Sequence, residues 1–182
     1  MDTVVLFIAL SLPVIFISRR SLFDIKSHGF TRFFSWECII WLFVSVYRVW
    51  FVKPFSAPQI ISWALLIISL YLLIAGVVLL RKARRHDFVR VDNKLYRFEK
   101  TTYLVTTGIF KYIRHPLYSS LLFLTWGIYF KQPSFILTMV ALLSSVLLWF
   151  TAKRDEKECI SYFGNSYREY MKSAKRFIPF II

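Results

Sequence analysis

Two short polar segments hold the residue types that could do chemistry. The first, residues 104–118, ends in Arg114-His115-Pro116-Leu117-Tyr118. The second, residues 153–158, carries the adjacent carboxylates Asp155 and Glu156. An imidazole, a phenol, a guanidinium and an acid pair against an apolar wall suit a polar cofactor beside a greasy substrate. Pro116 fits the first turn of a helix, where its missing N–H costs little. His115 then lies just outside that helix, where unpaired backbone N–H groups favour an anion such as a carboxylate or a ribose oxygen. Tyr118 follows three residues later on the same face. Adjacent carboxylates on a helix diverge by about 100°, so only one of Asp155 and Glu156 can face a partner squarely. Taken singly, these groups also read as interfacial anchors and a solvated helix turn. Their case rests on proximity.

That proximity is set by the elements that carry them. Residues 116–130 and 132–152 are uncharged and are separated by Lys131 alone. The tight Phe130-Lys131-Gln132-Pro133-Ser134 turn makes them an antiparallel hairpin, so both polar segments come to one end. Further uncharged runs cover residues 3–18 and 54–80. Residues 33–52 form a fifth candidate, with Glu37 and Arg48 near its ends. A spanning helix needs about 20 apolar residues. Two runs meet this outright, and the shorter ones need interfacial residues to complete a span. The chain is 57% hydrophobic, against roughly 45–50% for soluble domains. The predicted fold is all-α: a polytopic membrane protein with five transmembrane helices. Residues 3–18 lack a basic flank before them and a small-residue cleavage site after them, so they read as a helix rather than a leader.

After each span in turn the Lys and Arg residues number four, one, ten, one and seven. This alternation predicts an outside N-terminus and a cytoplasmic C-terminal helical tail. The net charge of +14 then reports topology and contact with the lipid bilayer, with no nucleic acid implied. Cys38 and Cys159 are expected to stay apart, and two Cys with three scattered His give no metal-ligand spacing. His28 and His86 read as surface residues, and Glu37 as a structural partner of a neighbouring Arg. The glycines are isolated, so there is no dinucleotide loop. No Walker or G-x-S-x-G motif occurs.

No repeat or long linker divides the chain, which reads as one domain, residues 1–182, with its catalytic half at about 95–182. Residues 81–85 extend the third span, and residues 88–91 form a short extended piece. In the tail, Gly164 suits a helix C-cap. Ser166-Tyr167-Arg168-Glu169 reads as a capping box for a new helix, with Tyr167 and Tyr170 on one face. The apolar residues 177–182 tuck back against bilayer or bundle.

The ordered series Leu104-Val105-Thr106-Thr107-Gly108-Ile109-Phe110, Arg114-His115-Pro116-x-Tyr118, Asp155-Glu156, Phe163-Gly164-x-x-Tyr167-x-x-Tyr170 and Arg176-Phe177-Ile178-Pro179 resembles the isoprenylcysteine carboxyl methyltransferase family. That family is related to the phospholipid N-methyltransferases. The resemblance covers the C-terminal half. It implies a membrane methyltransferase that uses S-adenosylmethionine, bound between the inner ends of the last two spans. Cofactor contacts carried over by position are Thr102, Tyr103, Leu104, Val105, Phe110, His115, Pro116, Leu117, Tyr118 and Asp155. Glu156 is the second acid, and the candidate base for an amine acceptor. Thr151 stands where the prenylcysteine enzymes place an Arg for the substrate carboxylate. The acceptor is therefore a lipid-like or small hydrophobic molecule left open between prenylcysteine and phospholipid amine. A non-enzymatic scaffold and a membrane reductase of the sterol-reductase type are the rival readings.

Overall fold

A computed structural model describes residues 2–83 and 103–181. Thr102, His86 and the expected extended piece at residues 88–91 lie outside them. Among the described residues the regular structure is helical, apart from one isolated parallel bridge between Ile113 and Lys175. The helices are α1 (Thr3–Leu22), α2 (His28–Val46), α3 (Ala57–Ala83), α4 (Pro116–Tyr129), α5 (Phe135–Phe163) and α6 (Asn165–Ser173).

Among the described residues four segments are long and apolar enough to cross a membrane: α1, α2 with the short turn after it (His28–Val49), α3 and α5. The chain is thus built as an integral membrane protein. At 1.5 Å per residue, α5 is about 43 Å long, so it outreaches a hydrocarbon core of about 30 Å. Its surplus turns carry Asp155, Glu156 and Glu158. By the same rise the 14-residue α4 measures only about 21 Å.

The helix α2 begins five residues earlier than the expected start at residue 33. The signal for this is Ser27, whose hydroxyl accepts the Gly29 N–H at 3.2 Å as an N-cap. That shift winds His28 and Arg32 into the helix.

In the bundle, α3 lies mainly on α4, and α2 on α5. Small polar residues let these helices approach and join them, as is usual inside a membrane. Ser62 donates to the Gly127 carbonyl at 2.6 Å, and Ser69 to the Ser120 carbonyl at 2.7 Å. The Ser35 and Ser144 hydroxyls meet at 2.9 Å, with Thr125 3.2 Å from Ser144. Leu42, Val46, Ile128 and Ala141 fill the core toward the α4–α5 turn. Large apolar side chains such as Leu12, Phe16, Ile67, Ile74, Phe135 and Leu143 face outward. This is the surface that lipid covers.

At the turn itself, the Lys131 ammonium donates to Gln59 Oε1 at 2.9 Å and sits 3.3 Å from the Trp63 ring centre. This pins the hairpin to the start of α3. Among the described residues no Arg donates to Glu37. It accepts from the Ser11 hydroxyl at 2.6 Å, joining α2 to α1.

The chain turns from α5 into α6 at Gly164, whose φ of +61° disfavours any side chain. Its N–H caps the Ile160 carbonyl, as expected of a C-cap glycine. The expected capping box does not form. Helix α6 starts at Asn165 with no side-chain cap, which puts Ser166 inside the first turn.

Candidate functional site

The site is assembled where the entry to α4, the far end of α5 and the tail meet. His115 is the N-cap residue of α4 and Pro116 its first helical residue. The entry strand is stitched to the tail. The Arg114 N–H donates to the Lys175 carbonyl at 2.7 Å, the Lys175 N–H to the Tyr112 carbonyl at 3.0 Å, and the His115 N–H to the Arg176 carbonyl at 3.2 Å. The Ser119 hydroxyl adds a bond of 2.8 Å to the Phe177 carbonyl.

His115 is buried, and its ring stacks on Tyr118 with centroids 5.3 Å apart. Its Nδ1 lies 3.4 Å from Asp155 Oδ2 and its Nε2 3.4 Å from Glu156 Oε1. Nε2 makes no hydrogen bond of good geometry among the described residues. Burial opposes the imidazolium. The two facing carboxylates outweigh burial and raise the pKa above the ordinary 6.5.

Glu156 occupies a different position from its neighbour. Arg114 donates to its Oε1 through Nε at 3.2 Å and Nη2 at 2.9 Å. Arg176 donates to Oε1 and Oε2 at 3.0 and 2.8 Å. Nη1 of Arg114 also donates to the carbonyls of Met171 and Ala174. One carboxylate thus ties α5 to the α4 entry and to the tail by charge-assisted hydrogen bonds.

Asp155 points the other way, toward a second histidine. His28, expected on the surface, is completely buried. Its Nδ1 lies 2.8 Å from Glu158 Oε2, and its main-chain N–H donates to Glu158 Oε1 at 3.0 Å. Ligand-type atoms of His28, Asp155 and Glu158 all fall within 4.8 Å of one another.

A cavity of about 770 Å³, including its open mouth, adjoins these groups. Of the residues expected to bind a cofactor, Leu104, Val105, Phe110, His115, Pro116, Leu117, Tyr118 and Asp155 line it together. Tyr103 does not line it and is 47% exposed. Glu156, the expected base, also lies off the cavity. The physical reason is that its oxygens are taken up by the two guanidinium groups.

The lining also includes residues that sequence reasoning did not assign to the site: His28, Leu80, Cys159, Phe163, Tyr167 and Tyr170. Two of them lie outside residues 95–182, so the N-terminal half contributes to the wall. A signal existed for the aromatic pair, since Tyr167 and Tyr170 share a face of α6. Their burial pushes both phenols above the ordinary 10, and the Tyr170 hydroxyl donates to the Phe110 carbonyl at 2.5 Å. None existed for His28, which reaches the site only through the packing of α2 on α5.

Neither Thr151 nor Arg154 lines the cavity. Thr151 is buried and donates to the Thr31 hydroxyl at 2.9 Å. Arg154 donates to the Ile25 and Ser27 carbonyls at 2.5 and 3.3 Å.

A model of the phospholipid methyltransferase family matches residues 59–166. The chain is 31% identical over 131 residues to a protein named Protein-S-isoprenylcysteine O-methyltransferase from Schizosaccharomyces pombe (strain 972 / ATCC 24843). That match covers 70% of this chain and 52% of the relative, so the chain spans about half the length of the curated relative it matches. No solved structure matches the chain.

Proposed function

The chain belongs to the phospholipid methyltransferase family, and on that premise we propose that it is an integral membrane methyltransferase. Its methyl donor is S-adenosylmethionine, and its acceptor is a lipid-like or small hydrophobic molecule. The observation that carries this reading is the buried His115–Asp155 pair, 3.4 Å apart, at the edge of a largely apolar cavity.

The residues present fit the cofactor. When bound, S-adenosylmethionine supplies an electrophilic methyl group on a positively charged sulfur. Asp155 offers a carboxylate for its ammonium or ribose hydroxyls. His115, which lines the same cavity, offers one more polar contact. Tyr118 and Phe110 present ring faces suited to a cation or an adenine. Leu104, Val105, Pro116 and Leu117 keep water from the reacting centre, which strengthens the electrostatics inside. Thr102 and Tyr103 precede Leu104 in sequence and stay in the proposal as cofactor contacts. Glu156 is assigned to holding the tail in place, and no longer to proton transfer.

The five-span topology belongs to the same proposal. In it α4 is the short fourth span, completed by interfacial residues. The alternation of basic residues supports an outside N-terminus, with the site and the C-terminal tail on the cytoplasmic side. The cofactor then enters from the cytoplasm, and the acceptor from the bilayer between helices. Methyl transfer is in-line, so the protein acts chiefly by holding the reactants about 3–3.5 Å apart.

The test is calorimetric titration of the detergent-purified protein with S-adenosylmethionine. Binding is expected with the wild type, and at least tenfold weaker binding with Asp155→Asn. No heat with the wild type, or equal heat with Asp155→Asn and His115→Ala, sinks the reading.

A further inference from the structure

We propose that His28, held by Glu158, is the proton acceptor of this site, and that the methyl acceptor is therefore a protic group, an amine N–H or a hydroxyl. The inference rests on the methyl-transfer reading above and deepens it with a residue and an acceptor class.

The geometry is that of a base oriented by a third group. Glu158 holds His28 twice, through the ring Nδ1 at 2.8 Å and through the main-chain N–H at 3.0 Å. A carboxylate only accepts, so in the neutral ring the proton resides on Nδ1 and the lone pair on Nε2. Nε2 is buried and has no hydrogen-bond partner among the described residues. Buried polar atoms are nearly always paired, so an exception calls for a reason. His28 lines the cavity together with Asp155. A ring nitrogen without a partner among the described residues, on a side chain that lines a cavity, is placed to pair with what enters it.

The other candidates for this task are committed elsewhere. Glu156 is spent on Arg114 and Arg176. His115 stands between Asp155 and Glu156, and each of its ring nitrogens faces one of these carboxylates at 3.4 Å. The charged groups that bear on His28 are Glu158 and Asp155 on α5 and Arg32 one turn along α2.

The step balances. The acceptor's lone pair forms the bond to the methyl carbon, and the carbon–sulfur pair stays with sulfur. The acceptor's proton passes to Nε2 and then to water as product leaves. An acceptor that is already a carboxylate anion has no such proton and gains nothing from His28.

The test incubates radiolabelled S-adenosylmethionine with membranes containing the full-length protein. It measures alkali lability of the labelled product, the rate from pH 6 to 9, and cofactor affinity. Alkali-stable label is expected, because methylated amines and ethers survive base. His28→Gln should lower kcat about a hundredfold, abolish the rising limb of the pH profile, and leave cofactor affinity within about twofold. Added imidazole should restore part of the rate in His28→Ala. Glu158 is a positioning residue: Glu158→Gln should cost about tenfold, and Glu158→Asp should regain part of it.

Alkali-labile methyl ester as the product overturns this inference while leaving methyl transfer standing. So does a His28→Gln rate within threefold of wild type with an unchanged pH profile. Loss of activity in EDTA, restored by zinc, overturns it in favour of a metal on His28, Asp155 and Glu158. If His28→Gln fails to bind cofactor, Glu158→Gln decides: an unchanged rate overturns the proposal, and the tenfold loss supports it. A wild type that neither binds cofactor nor labels the membranes overturns the underlying reading and this inference with it.

Discussion

Replacing Glu156 by Gln tests how the tail is held over the site. The substitution keeps the shape and removes the charge. In the wild type four guanidinium contacts of 2.8 to 3.2 Å converge on this carboxylate. The side chains are 6% exposed for Glu156, 8% for Arg114 and 20% for Arg176. Removing one partner of a buried pair costs about 3–5 kcal/mol, because the remaining charge stays desolvated. The amide oxygen of Gln still accepts, and Arg176 is partly exposed, so the low end applies, about 3 kcal/mol. At 1.4 kcal/mol per decade that is about a hundredfold in the opening equilibrium of the tail. The amides of Arg114, His115 and Lys175 report this opening, since their acceptors lie across the same stitch. Hydrogen exchange should quicken about a hundredfold at these three positions and change little around Leu42 and Leu148. Combining Glu156→Gln with Arg176→Gln should cost barely more than Glu156→Gln alone. Exchange at the three amides within threefold of wild type would refute the assignment of Glu156 to tail docking.

Two other consequences are open to direct measurement. The folded-state pKa of His115 lies above its unfolded value near 6.5. The stability this contributes is present in full below about pH 6.5 and is lost as pH rises through the folded-state value. The thermal midpoint in detergent should therefore fall on the alkaline side of that window, and His115→Gln should flatten the fall; an equal slope in the variant counts against the ion cluster. Gly127→Val should lower the same midpoint, because a Cβ there comes within 2.9 Å of Leu66 Cδ2 and 3.3 Å of the Leu66 backbone nitrogen. Overpacking of this kind costs about 1–3 kcal/mol, and an unshifted midpoint would mean that α3 and α4 do not approach this closely.

Much of the architecture is readable along the chain, because membrane helices announce themselves through local composition. The uncharged runs, the short Lys131 turn and the glycine break at residue 164 need no knowledge of distant contacts. The same local logic brings the Arg114–Tyr118 and Lys153–Glu158 segments to one end, and His115 and Asp155 do meet there. The division of labour between adjacent acids was not readable in this way. Side chains one residue apart on α5 diverge, so Asp155 turns to the cavity and Glu156 to two arginines. Which acid does which depends on where Arg114 and Arg176 arrive.

His28 makes the same point more sharply. It lies 130 positions from Glu158 in the chain, next to a run of polar residues that reads as surface. Only the packing of α2 against α5 buries it and gives it a carboxylate partner. Composition and periodicity thus determine the helices and the end at which polar groups gather, since both depend on neighbours within a few turns. Tertiary packing alone decides which of those groups meets which partner, since that depends on contacts between helices far apart in the chain.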